Sequence, residues 1–196
     1  MTTIDVSPNI EAYFEEVVHD AMRARRVAAT PAAEHYLSGL LVDYAKGEKP
    51  KALDEPLTFQ LRDALESSGA ERFARLQRLG DGVLYVVGFF GAWLRRRGAD
   101  RDYVMSVGSS AYGHASAMLR MGTRLDGPNV LAELSDKFDR FVVVLGEIAD
   151  GALASARDDA SLLRAYERWQ ETGSSKLAES LVEMGFFPMR GDEAVH

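Results

Sequence analysis

Helical periodicity is the sequence feature that most constrains this chain. Large apolar residues recur three and four positions apart along nearly all of it, whereas the alternation typical of a half-buried strand is almost absent. Ser7-Pro8 and Thr30-Pro31 each pair a capping residue with a proline suited to the first helical position. These patterns predict an all-α protein, an irregular bundle of six to eight helices.

The segment from Ser68 to Arg97 predicts the central helix of the bundle. Its apolar residues cover so much of the circumference that neighbours are expected on several sides. The face expected in the core consists of Leu76, Leu79, Val83, Val86, Val87, Phe90 and Leu94. Asp81 falls on a polar face of this helix, as do Glu147 and Asp150 in a later one, so no buried carboxylate pair is expected.

Composition narrows the class of protein. A chain of 196 residues suits one helical domain over residues 1–196; the alternative is that residues 155–190 form a C-terminal helical hairpin appended to it. The net charge of −7 opposes binding to nucleic acid or anionic lipid. Without cysteine there is no disulfide or zinc–thiolate site.

The first sixteen residues lack the pattern of a signal peptide, and the longest apolar run, 83–94, is too short to span a bilayer. We expect a cytoplasmic protein.

The helix predicted over residues 101–121 contains the candidate ligand-binding residues. His114 falls near the middle of its apolar face, and an apolar-face histidine needs partners for both ring nitrogens or stays neutral. It is interpreted either as a core histidine bonded to a carbonyl or tyrosine, or as a pocket residue that binds haem or donates a proton. The residues predicted to line such a pocket are His114, Tyr103, Val107, Ser110, Ala111 and Met118.

The opposite side of the same helix is rich in small residues, namely Ser106, Ser109, Ser110, Gly113 and Ala117. A glycine inside a helix costs up to about 1 kcal/mol relative to alanine, so a close approach should offset it. Three kinds of close approach could explain these small residues: packing of another helix, a dimer seam or a ligand pocket. Gly82, Gly88 and Gly91 raise the same question for the preceding helix.

The remaining histidines and the basic clusters favour ordinary surface roles. Glu16 and His19 have the spacing of a di-iron ligand pair, but they lie opposite the apolar stripe and should face water, as should His35. The run 95–97 is three arginines in the last turn of a helix, where cations complement the helix dipole. The sequence contains no phosphate-binding loop and no nucleophile elbow.

Several stretches resemble recurring segments of helical bacterial proteins that have no assigned activity. They are TPAAEHYLSGLLVDYA (30–45), LYVVGFFGAWLRRRG (84–98), YVMSVGSSAYG (103–113) and LLRAYERWQETGSSKLAESLVEMGFFP (162–188). The resemblance covers most of the chain and implies a bacterial, cytoplasmic, all-helical protein. It indicates no activity and no functional residue, and the cofactor, if there is one, stays unknown.

These observations predict a non-catalytic binding or regulatory protein that acts through a protein partner or a small apolar ligand. The alternative is a haem- or metal-dependent carrier or enzyme that uses a buried histidine. A homodimer is expected, because two-fold dimers are the commonest oligomers of soluble proteins.

Overall fold

A computed structural model describes residues 7–47, 55–122 and 129–186. Nine α-helices and no strand occupy these ranges, which confirms the all-α class and exceeds the six to eight helices predicted. They are α1 (Ser7–Arg25), α2 (Pro31–Ala45), α3 (Leu57–Glu66), α4 (Gly69–Arg96), α5 (Arg101–Gly122), α6 (Val130–Asp136), α7 (Phe138–Ser155), α8 (Asp159–Thr172) and α9 (Ser175–Glu183).

The chain divides into two compact units, Met1–Leu145 and Gly146–His196, with the boundary inside α7. The N-terminal unit is built around α4, as its apolar circumference predicts. Helix α4 packs most extensively against α5, while α3 contacts both of them and α6 contacts α2 and α5. The C-terminal unit contains the end of α7 and the α8–α9 pair. Helices α8 and α9 lie within residues 155–190, the range of the possible C-terminal hairpin.

Two glycines in the N-terminal unit allow side chains of neighbouring helices to approach closely. A β-carbon at Gly88 would lie 2.5 Å from Cβ of Leu145, and one at Gly108 would lie 2.5 Å from the Phe138 ring. The small-residue side of α5 also packs within the chain, because Ser109 Oγ donates to the Ser135 carbonyl at 3.0 Å. Among the three explanations for these residues, packing between helices accounts for Gly88, Gly108 and Ser109.

A polar junction joins the α1–α2 loop to α6. Thr30 caps α2 by accepting a hydrogen bond from the amide of Ala33, as the sequence predicts. Thr30 Oγ1 also donates to Glu133 at 2.6 Å, and Lys137 Nζ bridges Glu133 and the carbonyl of Ala28 at 2.8 and 2.9 Å. One carboxylate thus links a helix start to a distant helix.

The C-terminal unit has its own apolar core and a buried ion pair. The core consists of Ala165, Trp169, Leu177 and Leu181. The guanidinium of Arg168 donates to Asp150 and also to the carbonyl of Gly146 at 3.1 Å. The prediction that Asp150 lies on a polar face is therefore wrong: Asp150 is 3 % exposed, and its charge is matched by an arginine from the next helix.

We predict that Gly88→Ala destabilises the protein and that Gly39→Ala does not. Cβ of Leu145 is attached directly to the backbone and cannot rotate away, so the added methyl group would cost about 1–3 kcal/mol through overpacking. Gly39 lies on the exposed side of α2 with open space around it, so alanine there should add up to about 1 kcal/mol of helix stability. Urea unfolding of both variants measures this, and equal stabilities would contradict the packing account.

We also predict a pH-dependent contribution from Glu133. Burial opposes its ionisation, but hydrogen bonds from Lys137 and Thr30 outweigh burial and lower the pKa of this carboxyl. A carboxyl whose pKa is lower in the folded state contributes stability that is complete above its unfolded pKa and is lost as the pH falls through its folded pKa.

The Glu133→Gln variant should therefore be less stable than the wild type by about 1.5 kcal/mol at neutral pH, since a charged acceptor is replaced by a neutral one. The difference should begin to shrink once the pH falls below about 4.3, the ordinary pKa of a glutamate in an unfolded chain, and should go on shrinking as the pH falls through the lower folded pKa. Urea unfolding across this range tests it, with the exposed Glu11→Gln as control. A difference that does not change with pH would contradict the prediction.

Candidate functional site

The structure does not gather the six predicted pocket residues into one site. Val107 and Ala111 are buried, and Met118 is half-buried. His114 and Ser110 are exposed, and Tyr103 is an exposed aromatic whose hydroxyl lies 2.5 Å from Thr58 Oγ1. The expectation that His114 lies on the core face is therefore wrong.

The buried face of α5 overlaps the one that its larger apolar residues indicate but is rotated from it by part of a turn. It consists of Val104, Val107, Gly108, Ala111, Tyr112, Ala115 and Ser116. Gly108 lies near the middle of this face and lets Phe138 and Val83 approach the helix closely, since a β-carbon there would lie 2.5 and 2.7 Å from them. His114 and Tyr103 consequently fall at the edge of the buried stripe.

The other histidines described by the structure take part in surface pairs. His19 Nδ1 lies 2.8 Å from Glu34, and His35 Nδ1 lies 3.4 Å from Glu15, so both pairs join α1 to α2. Both histidines are exposed, as predicted. In the ranges that the structure describes, no group of three or more acidic or histidine side chains is arranged to hold a metal ion.

A ladder of side chains along α4 supplies the clearest candidate site. Gln77, Asp81, Tyr85 and Phe89 are each one helical turn apart, so they lie on one side of the helix. The first two make polar contacts and the last two make aromatic contacts. This spacing is present in the sequence, but it joins two polar residues to two aromatic ones, so the apolar periodicity of α4 does not indicate it.

The polar part of the ladder is a hydrogen-bonded network centred on Asp81. The hydroxyls of Tyr112 and Tyr36 donate to the same oxygen of Asp81 at 2.6 and 2.7 Å, and Gln77 Nε2 donates to the Tyr36 hydroxyl at 2.9 Å. Tyr112 is fully buried. Asp81 thus links α2, α4 and α5; it shares a polar side of α4 with Gln77 and is half-buried there.

The environment of these tyrosines keeps their hydroxyls protonated. Burial, followed by the negative charge of Asp81, raises the pKa of both Tyr36 and Tyr112 well above the usual value. At neutral pH both groups are hydrogen-bond donors, and neither is poised to act as a base. Their chemistry is that of a structural polar network.

The aromatic part of the ladder forms a partly exposed stack, which we call the aromatic surface: Tyr44, Tyr85, Phe89 and Phe90. The ring of Tyr85 stacks on Tyr44 at 4.0 Å between centroids and on Phe89 at 4.8 Å, with interplanar angles of 23° and 25°. Phe90 meets the edge of Tyr85 at 5.8 Å and 68°. Such offset and edge contacts fix the rings relative to one another.

Phe90 reaches this surface because α4 is interrupted there. Its backbone angles, φ −121° and ψ 25°, are not helical, and they mark a kink in α4. On a straight helix Phe90 would share the face of Val83, Val87 and Leu94, all of which are buried. The prediction that Phe90 is a core residue is wrong: its side chain is 45 % exposed.

The C-terminal unit contains an open polar cleft of about 400 Å³ between the end of α7 and α9. Its charged lining residues are Arg157, Lys176, Glu179 and Glu183. Lys176 Nζ already contacts Glu147 at 2.7 Å, and Ser180 Oγ donates to the Ala154 carbonyl at 2.7 Å. These polar groups stabilise the unit, and the cleft displays no dominant charge for a ligand.

None of the helices in the described ranges combines the length and apolar character needed to cross a bilayer. Comparison of the chain with protein-family models, with curated proteins and with solved structures finds no match. The candidate site is therefore identified from the geometry of its own residues.

We predict that Asp81→Asn destabilises the N-terminal unit by about 1–3 kcal/mol. The substitution replaces a charged acceptor of two tyrosine hydroxyls by a neutral amide, which weakens both hydrogen bonds in a partly buried setting. Urea unfolding followed by tyrosine fluorescence measures the loss. The matched control is Asp43→Asn, at an exposed position of α2, and a loss no larger than in this control would contradict a central role for Asp81.

Proposed function

We propose that this protein is a non-catalytic binding module that acts through a protein partner, and that the aromatic surface is its binding site. The observation that carries the proposal is the kink at Phe90, which places a large apolar ring at the surface although the phase of the helix predicts burial. Exposed aromatic rings held rigid by their neighbours are the side chains that contribute most to binding energy at protein interfaces.

The energetics of Phe90 favour a bound state. Full burial of a phenylalanine side chain stabilises a protein by about 1.5–3 kcal/mol. Because the Phe90 ring is half-exposed, the free protein gains only part of this free energy. A partner that covers the ring recovers that free energy. The stack of Tyr44, Tyr85 and Phe89 beneath it is already ordered by ring contacts, so little side-chain entropy is lost on binding.

The openness of the aromatic surface supports a protein partner over a small apolar ligand. Small-molecule sites are concave and bury most of the ligand, whereas Phe90 projects from a helix into solvent. The raised pKa values of Tyr36 and Tyr112 support a non-catalytic role for the network beside it. The haem- or metal-dependent alternative needs a buried histidine, and its candidate, His114, is exposed.

The cytoplasmic location and the homodimer remain part of this proposal. The location is supported by the composition, since 46% hydrophobic and 27% charged residues are typical of a globular protein in water. The dimer is supported by the frequency of two-fold oligomers among soluble proteins.

We predict that Phe90→Asp removes the partner and leaves the fold intact. A charge at the centre of an apolar contact must be desolvated on binding, so recovery of the partner should fall at least about tenfold. The test is affinity capture from the cells that produce the protein. The captured proteins are quantified by mass spectrometry for the wild type, for Phe90→Asp and for a control variant.

The matched control is Phe59→Asp, because Phe59 is 50 % exposed, lies in the same unit and is outside the aromatic surface. Circular dichroism and thermal melting establish that each variant is folded, and Phe90→Ala serves if the aspartate variant unfolds. Recovery of the same proteins in the same amounts with a folded Phe90 variant would sink the proposal.

A further inference from the structure

The hydroxyl of Tyr36 is held between two successive turns of α4. It donates to Asp81 Oδ1 at 2.7 Å and accepts from Gln77 Nε2 at 2.9 Å. Because Gln77 and Asp81 are one helical turn apart, a displacement of α2 along α4 in either direction breaks at least one of these hydrogen bonds. The hydroxyl therefore specifies where α2 lies along the axis of α4.

The direction of the two helices carries this register to the aromatic surface. Two turns beyond Tyr36 on α2, the ring of Tyr44 stacks on Tyr85, which is one turn beyond Asp81 on α4. Both steps lead toward the C-terminal ends, so α2 and α4 run in the same direction. Tyr44 is the one ring of the aromatic surface that α4 does not supply, so the stack depends on the position of α2.

The contact between α2 and α4 differs in kind from the contact between α4 and α5. The backbones of α2 and α4 approach one another less closely than those of α4 and α5. Long side chains, those of Tyr36 and Tyr44, make the hydrogen bonds and the ring stack that join α2 to α4. The register of this pair is therefore sensitive to the loss of a single hydroxyl.

Tyr112 donates to the same oxygen of Asp81, but its helix has other contacts that fix its register. A β-carbon at Gly80 would lie 2.7 Å from the Tyr112 ring, and one at Gly108 would lie 2.7 Å from Val83. These close approaches between α4 and α5 involve no hydroxyl. Removing the Tyr112 hydroxyl should therefore lower stability without moving α5 along α4.

We propose that the Tyr36 hydroxyl is the positioning group of the aromatic surface: by fixing α2 along α4, it holds the Tyr44 ring on Tyr85 in the arrangement that a partner binds. This inference rests on the proposed function and names the residue that prearranges the site. Tyr36 acts through Tyr44 and needs no contact with the partner. Rings that are already in place lose less side-chain entropy on binding, so a loosened stack weakens binding although every contact residue is still present.

The test compares two variants of the full chain that each lose one hydroxyl and keep the ring, Tyr36→Phe and Tyr112→Phe. NMR spectra of chains with 13C-labelled tyrosine rings report the stack, because rings in an offset stack lie close enough to displace each other's proton signals. Tyr44→Phe and Tyr85→Phe assign the two signals. Tyr36→Phe should move these signals at least about three times as far as Tyr112→Phe does, since only the first variant frees α2 from α4.

Recovery of the partner by affinity capture is the second measurement. Tyr36→Phe should lower recovery at least about threefold, and Tyr112→Phe should leave it at the wild-type level. Urea unfolding of both variants separates positioning from stability, because each variant loses one hydrogen bond to a carboxylate. A purely structural role of Tyr36 would make recovery follow the two stabilities.

Three outcomes would overturn the inference: signals of Tyr44 and Tyr85 that stay in place in Tyr36→Phe, equal displacement in the two variants, or displaced signals with wild-type recovery of a partner that Phe90→Asp removes. If Phe90→Asp removes the partner while Tyr36→Phe leaves the rings in place, the proposed function stands and only the positioning role is wrong. If Phe90→Asp leaves recovery unchanged, the proposed function is wrong, and the NMR comparison still decides whether Tyr36 positions the stack.

Discussion

The hydrogen bonds that Asp81 accepts from Tyr36 and Tyr112 are the interaction on which the N-terminal unit depends. A buried tyrosine needs a partner for its hydroxyl, and one carboxylate serves tyrosines from two helices. Gly80 makes this possible, because a β-carbon there would lie 2.7 Å from the Tyr112 ring. The network fixes the rotation of α4 relative to α2 and α5, and that rotation determines which residues of α4 reach the surface.

The aromatic surface is a direct consequence of that rotation. Tyr85 and Phe89 follow Asp81 at one and two turns, so the side of α4 that meets Tyr36 also carries the rings that stack with Tyr44. The kink then turns Phe90 to the same region instead of the core. The polar network that stabilises the interior and the aromatic surface thus occupy successive turns of one helix.

The prediction succeeded where neighbouring residues decide the outcome and failed where a helix could rotate. The helical class, the Thr30 cap and the exposure of His19 and His35 follow from spacing and local hydrogen bonding. The prediction that His114 lies on the core face is wrong because large apolar side chains alone do not indicate the close approach that Gly108 allows on the neighbouring side of α5. The prediction that Asp150 lies on a polar face is wrong because its partner, Arg168, comes from another helix.

The sequence by itself determined the helices, the starts of several of them and the central position of α4, because periodicity and capping are local properties of the chain. Only the tertiary structure decided which carboxylates are buried, how far α5 rotates and that Phe90 leaves the core. These outcomes depend on pairing and packing between residues distant in sequence, such as Leu145 against Gly88 and Tyr112 against Asp81. The residue pattern of one helix does not specify which side chains of a neighbouring helix will contact it. The candidate site consists mainly of such contacts between helices.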